Sequence, residues 1–97
     1  MNNSLTEIMT NKIDELTYKL YEVEQKILNM EELARQRWQD KYEPQIYSRD
    51  YIKYQSMDDY YEHVIGTPRY KRLINEKMLI ESELSFCYKH IDDLNNM

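Results

Sequence analysis

The side chains that could bind a metal ion or carry a proton are few in this 97-residue chain, which has two histidines and one cysteine. Asp59 and His63 lie four residues apart, which would place both on one face of a helix, as half of a metal site requires. A structural zinc site needs four ligands, and no neighbouring Cys or His completes this set. We therefore interpret the two as surface residues and expect no metal site.

The other reactive side chains also favour structural roles. Cys87 falls at an apolar position of a helical repeat, whereas a reactive thiol lies in an exposed electropositive site. The adjacent carboxylates, Asp58 with Asp59 and Asp92 with Asp93, would point in different directions from a helix, a poor arrangement for a general acid and base. The single glycine excludes a glycine-rich phosphate loop. The sequence thus predicts a protein that is not an enzyme and binds no cofactor.

Tyrosine is the most unusual part of the composition, with ten residues, six of them between positions 42 and 61. A tyrosine ring offers a large rigid contact with a polar tip and is enriched at protein interfaces. We predict Tyr47, Tyr51 and Tyr54 as anchors for a protein partner, with nearby carboxylates adding negative charge. The predicted partner-binding residues are Tyr47, Asp50, Tyr51, Tyr54, Asp58, Asp59 and Tyr61. The alternative is that the tyrosine rings cover Trp38 as a small mixed core.

Arg69, Lys71 and Arg72 form a basic cluster near the start of a predicted helix, where the helix dipole does not favour cations. The cluster could bind an anion or an acidic partner. We favour charge pairing with nearby carboxylates, because such clusters are usually part of a solvated face. The candidate carboxylates are Glu31, Glu32, Glu62 and Glu76.

Composition and charge exclude several classes of protein. The net charge is −5, whereas proteins that bind nucleic acid directly carry basic patches. No apolar run approaches the roughly 18 residues of a membrane span. The single cysteine cannot form an internal disulfide, so nothing indicates an oxidising compartment. We expect a cytoplasmic protein (in the host cytoplasm if a phage encodes it) that binds neither nucleic acid nor membranes.

Three predicted helices position these residues within one domain. Ser4 is the predicted N-cap of the first helix, and Pro44 disfavours helix just beyond its end. Ser56 is the predicted N-cap of the second helix and Gly66 its stop, while Pro68 opens the third. The helices span about residues 5–42, 57–65 and 68–94, and a tyrosine-rich connector spans residues 43–55.

Apolar residues in both long helices recur at alternating steps of four and three, the heptad pattern of a coiled coil. The first helix carries Met9, Ile13, Leu16, Leu20, Val23, Ile27, Met30 and Ala34, and the third carries Tyr70, Leu73, Lys77, Ile80, Leu84, Cys87, Ile91 and Leu94. One antiparallel register pairs these positions, places Lys19 beside Glu83 and lays the second helix over Ala34, Trp38 and Tyr42. The predicted fold is all-α, an antiparallel coiled-coil helical hairpin with a short third helix at its closed end.

A second set of apolar side chains lies off the heptad seam. The members that we predict to form a dimer interface are Tyr21, Leu28, Leu79 and Phe86. Two-fold dimers are the commonest oligomers, and two hairpins would form a four-helix bundle, so we expect a homodimer. The alternative is that the tyrosine-rich connector covers this set.

The predicted function is a non-enzymatic protein–protein interaction module, such as a small inhibitor or an adaptor. Residues 43–66 contain five acids and two bases, a net charge of −3, so the expected partner is a protein with a basic surface. One alternative is a purely structural coiled-coil dimer in a larger assembly. The other is an acidic nucleic-acid mimic that blocks an enzyme acting on DNA or RNA.

Overall fold

Every regular element that the structure describes is helical. In a computed structural model, which describes residues 3–48 and 52–96, no strand occurs among those residues, and the all-helical fold class is confirmed. The elements in order are α1 (Asn3–Arg37), a π-helical segment (Trp38–Tyr42), α2 (Glu43–Ile46), α3 (Met57–Ile65) and α4 (Pro68–Asn95).

The boundaries of α3 and the start of α4 follow the capping residues in the sequence. The Ser56 hydroxyl oxygen accepts the backbone N–H of Asp59 at 3.2 Å and thereby caps α3, as predicted. Gly66 ends α3 with φ of −81°, so this stop uses no left-handed backbone. The Thr67 hydroxyl oxygen accepts the backbone N–H of Tyr70 at 3.4 Å, and α4 begins at Pro68.

The first helix differs from its predicted range of 5–42 at both ends. It begins at Asn3, so Ser4 lies inside the helix and is not its N-cap. Beyond Arg37 the helical path continues through the π-helical segment and α2 as far as Ile46. The Glu43 N–H donates to the Trp38 carbonyl, five residues earlier, and Pro44 stands in the first turn of α2. A proline is tolerated there because its missing N–H needs no partner at a helix start.

The described chain divides into two compact units. The first, here called the terminal unit, combines α1 up to Glu24 with α4 from Asn75; the second, the central unit, is Gln25–Ile74. The buried residues of the terminal unit are Ile13, Leu16, Val23, Ile80, Leu84 and Cys87. Within each unit, every heptad position named above is buried or half-buried. The predicted heptad seam therefore coincides with the observed burial.

Charge pairs in the terminal unit differ from the predicted ones. Lys19 pairs with Glu15 on its own helix at 3.2 Å, and the predicted pair of Lys19 with Glu83 does not form. The pair that joins α1 to α4 is Lys77 with Glu24, whose Nζ and Oε1 atoms lie 3.9 Å apart. A carboxylate four residues before a lysine on the same helix lies close to it, which explains why Lys19 pairs with Glu15 and not with Glu83.

The predicted dimer-interface residues are exposed on the single chain. Tyr21, Leu28, Leu79 and Phe86 each expose more than half of the accessible surface of the residue. Leu79 and Phe86 also line a cavity of about 440 Å³ in the terminal unit, together with Met9, Lys12, Ser82, Glu83 and Cys87. In the terminal unit, Tyr21, Leu79 and Phe86 of the predicted dimer interface therefore leave apolar surface open.

Candidate functional site in the central unit

An aromatic cluster forms the core of the central unit. Ala34 and Trp38 come from the first helical path and Tyr60 from α3, and all three are buried together with Tyr42. The ring centroids of Tyr42 and Tyr60 lie 4.9 Å apart, and those of Trp38 and Tyr60 lie 6.5 Å apart. The prediction that the short helix covers Ala34, Trp38 and Tyr42 is confirmed.

Part of the tyrosine-rich connector folds onto this cluster. Tyr54 is half-buried, and its ring meets Tyr42 edge-on at 4.9 Å and Tyr60 at 5.1 Å. The Tyr61 hydroxyl, on α3, donates to the backbone carbonyl of Glu31 at 3.3 Å. Tyr54 and Tyr61, both predicted to bind a partner, thus make structural contacts within the chain.

The other predicted partner-binding residues are placed differently. Tyr47 follows α2 directly and is 83% exposed, the largest exposure among the large apolar side chains of the described residues. Asp58 and Asp59 are exposed in the first turn of α3. Asp50 and Tyr51 lie outside the described residues. The structure therefore leaves Tyr47 as the candidate anchor with no part in the aromatic cluster.

Glu31 also ties α4 to α1 inside the central unit. The Tyr70 hydroxyl donates to Glu31 Oε1 at 3.2 Å. Burial raises the pKa of Tyr70, and the negative charge and hydrogen bond of Glu31 raise it further. A tyrosinate at this position would face a carboxylate and lose the hydrogen bond, so the folded state favours the neutral phenol.

The stability of the chain should consequently fall in alkaline solution through Tyr70. Because the pKa is raised in the folded state, this stabilisation is complete below the ordinary value of 10.0 and is lost as the pH rises through the raised pKa. Urea unfolding of the wild type and Tyr70→Phe between about pH 8 and pH 11 measures the difference. We expect Tyr70→Phe to show the shallower decline, whereas Tyr18→Phe, at an exposed position, should follow the wild type. Equal declines for wild type and Tyr70→Phe would contradict the assignment.

A cavity beside the aromatic cluster was not predicted from the sequence. It measures about 340 Å³ and lies within the central unit. Four of its lining residues carry basic side chains: Arg37, Lys53, His63 and Arg69. Within the described part of the chain, no carboxylate lines it. Residues from α1, the connector, α3 and α4 meet here, a combination that only the folded chain creates.

The basic cluster at the start of α4 is not neutralised in the predicted way. Over residues 3–48 and 52–96, none of Arg69, Lys71 and Arg72 takes part in an ion pair. Glu32 is held instead by Arg35, whose Nη2 lies 2.6 Å from Glu32 Oε1, and this hydrogen bond lowers the pKa of Glu32. The predicted charge pairing with Glu31, Glu32, Glu62 and Glu76 is therefore wrong for the described residues, and Glu31 accepts a hydrogen bond from Tyr70 instead.

The histidine considered for a metal site belongs to the aromatic surroundings of the cavity. His63 is exposed, and the centroid of its ring lies 5.6 Å from that of Tyr54. Among the described residues, no group of three or more His, Cys, Asp or Glu side chains is arranged to hold a metal ion.

Comparison with known proteins adds no functional information. No protein-family model, curated protein or solved structure matches this chain. None of the helices in the described ranges is long and apolar enough to cross a membrane.

Proposed function

We propose that the chain is a non-enzymatic protein-interaction module, a small inhibitor or adaptor, built on an antiparallel coiled-coil hairpin. Two observations in the terminal unit support the antiparallel direction. Glu24 lies beside Lys77, while Met9 and Lys12 line one cavity with Glu83 and other residues farther along α4. The heptad spacing of the buried residues supports coiled-coil packing.

The observation that carries the proposed function is the exposure of Tyr47. Its side chain is 83% exposed, and Ile46 and Ile52 nearby in sequence are also exposed. The buried tyrosines belong to the aromatic cluster, whereas Tyr47, Ile46 and Ile52 are not members of that cluster in the described part of the chain. Tyrosine at such a position is a typical anchor of a protein interface, because its ring buries a large area at a small entropic cost.

The exposed acidic residues of α3 indicate the charge of the expected partner. Asp58 and Asp59 are exposed at the start of α3, and Glu62 is exposed one turn later. The expected partner therefore presents a basic surface, and the acids should mainly raise the association rate and its dependence on salt. We place this interaction in the cytoplasm, as the sequence predicts.

Capture of partners with Tyr47→Ala tests this function. Wild-type and variant chains are used to capture proteins from a lysate of the native host, and the affinity of each captured protein is then measured. We expect Tyr47→Ala to lower the affinity for the true partner at least about tenfold, or 1.4 kcal/mol, while the circular dichroism of the chain stays unchanged. The control is Tyr88→Ala, since Tyr88 is 54% exposed on α4, far from Tyr47 in sequence. A partner that binds all three chains equally would show that Tyr47 is not the anchor.

A structural dimer is the second candidate function, and the exposed apolar surface in the terminal unit favours it. Leu79 and Phe86 are each 67% exposed and line the same cavity, and contiguous apolar surface of this kind marks interaction sites. Such a surface is well suited to bury against a second copy of the chain. In this function the hairpin would be a building block of a larger assembly.

Light scattering at micromolar concentration should give about twice the chain mass of 12.0 kDa. Charges within an apolar interface are strongly unfavourable, so Leu79→Glu combined with Phe86→Glu should give the mass of one chain with unchanged helicity. Ile65→Glu, at a position that is 47% exposed in the central unit, is the matched control and should remain a dimer. A wild-type chain that is monomeric under these conditions would eliminate the dimer.

A further inference from the structure

The cavity of the central unit concentrates positive charge in an acidic protein. Arg37 stands at the end of α1, Lys53 in the connector and Arg69 in the first turn of α4, and all three line this one cavity. The chain as a whole has a net charge of −5. This concave surface is therefore locally positive although the whole chain is negatively charged, and a locally positive cleft favours the binding of an anion.

No carboxylate of the described residues forms an ion pair with these cations. Within the described ranges, Arg37, Lys53 and Arg69 form no ion pair with any carboxylate. Lys53 also has its ammonium 5.7 Å from the centroid of the Tyr54 ring. Mutual repulsion between such cations is relieved when an anion binds between them, and guanidinium and ammonium groups are the usual ligands of phosphate.

The remaining walls of the cavity suit a planar ring. Tyr54 and His63 are adjacent aromatic rings with an angle of 44° between their planes, and both line the cavity. Met30, Leu33 and Val64 supply apolar side chains to the same surface. Nucleobases bind to tyrosine and histidine rings through their faces, whatever the base, and apolar walls strengthen such contacts.

The size of the cavity limits the ligand. A volume of about 340 Å³ is at the lower end of the range for small-molecule sites, about 300–1,000 Å³. A folded protein domain or a nucleic-acid duplex cannot enter it. An isolated phosphate ion would leave the aromatic and apolar walls unused.

We propose that this cavity binds a small organic anion that joins a planar heterocycle to one phosphate group, with nucleoside monophosphates as the representative class. Arg37, Lys53 and Arg69 would contact the phosphate, and Tyr54 with His63 would contact the ring. This site is separate from the exposed Tyr47 and is a property of the isolated chain. It goes beyond the proposed interaction with a protein.

Isothermal titration of the full chain with the 5′-monophosphates of adenosine, guanosine, cytidine and uridine tests the site. We expect at least one to bind with a Kd below about 1 mM and more weakly as salt is raised. Inorganic phosphate and the matching nucleoside, each alone, should bind at least about tenfold more weakly than the nucleotide. These two probes separate the phosphate contribution from that of the ring.

Two charge variants and a matched control locate the ligand. Arg37→Gln and Arg69→Gln should each lower the affinity for the nucleotide at least about fivefold, because each removes a positive charge from the cavity. Both residues are exposed, so we expect both variants to fold. Arg35→Gln should not, since Arg35 pairs with Glu32 and does not line the cavity. Circular dichroism checks that each variant keeps its helices.

Three results would overturn this inference. The first is that none of the four nucleotides binds below about 1 mM. The second is that phosphate or the nucleoside alone binds as well as the nucleotide, which would mean that ring and charge are not recognised together. The third is that Arg37→Gln, Arg69→Gln and Arg35→Gln bind the nucleotide with the same affinity, whether or not that affinity is lower than the affinity of the wild type. None of these results bears on capture of a protein through Tyr47.

Discussion

Leu16→Asp should abolish cooperative folding of the chain and remove most of its helical circular dichroism at 25 °C. Leu16 is 2% exposed in the core of the terminal unit. Shortening a buried leucine to alanine already costs about 2–5 kcal/mol, and a buried carboxylate without a partner costs more. A small domain has only about 5–15 kcal/mol of stability in total.

The control for Leu16→Asp is Thr17→Asp on the next residue of α1, whose side chain is exposed. The same carboxylate there stays in water and should change the free energy of unfolding by no more than about 0.5 kcal/mol. Urea unfolding followed at 222 nm compares the two variants with the wild type. If Leu16→Asp unfolds at the wild-type urea concentration, Leu16 does not lie in a core.

Trp38→Ala should lower the free energy of unfolding by about 3–5 kcal/mol, the usual cost of removing a large buried aromatic side chain. Trp38 is 6% exposed, and its ring stacks on Tyr60 inside the aromatic cluster. The substitution would also leave a void beside Tyr42 and Tyr60, which pack in the same cluster as Trp38. Urea or thermal unfolding by circular dichroism gives the difference, because the variant has no tryptophan fluorescence.

Two further variants isolate the packing effect at Trp38. Trp38→Phe keeps an aromatic ring and should recover much of the stability that Trp38→Ala loses. Tyr47→Ala removes an aromatic side chain that is exposed and should cost about 0.5 kcal/mol or less. A similar small loss for Trp38→Ala and Tyr47→Ala would contradict the buried cluster.

The heptad seam and α3 could be predicted because their signals are local. Burial at Ile13, Leu16 and Ile80 follows from a repeat that is visible in the letters alone. Ser56 and Pro68 mark helix starts through caps that involve only the next few residues. Local chemistry of this kind does not depend on the rest of the fold.

Other features depend on contacts that no local pattern contains. Lys19 could pair with Glu15 on its own helix or with Glu83, which is far away in sequence, and the pair with Glu15 forms. The cavity joins Arg37 and Arg69, which are 32 residues apart, so no spacing rule indicates it. Of the connector tyrosines that the structure describes, Tyr54 packs against Tyr42 and Tyr60 whereas Tyr47 is exposed, a division set by contacts between residues far apart in sequence.

The π-helical segment gives the chain a place where an insertion or a deletion has a defined effect. Such a turn holds about one residue more than the α-helical turn that it replaces, and one residue corresponds to about 100° around a helix axis. Loss of one residue between Trp38 and Tyr42 would therefore restore an α-helical turn. Because the π turn holds its additional residue within one turn, this loss would leave the downstream segment carrying Tyr47 close to its present orientation. Loss of one residue from the α-helical part of α1 would instead rotate the later residues of the helix by about 100°. Single-residue length variation at this point thus offers an evolutionary route to change the length of the chain without turning Tyr47 away from its present direction.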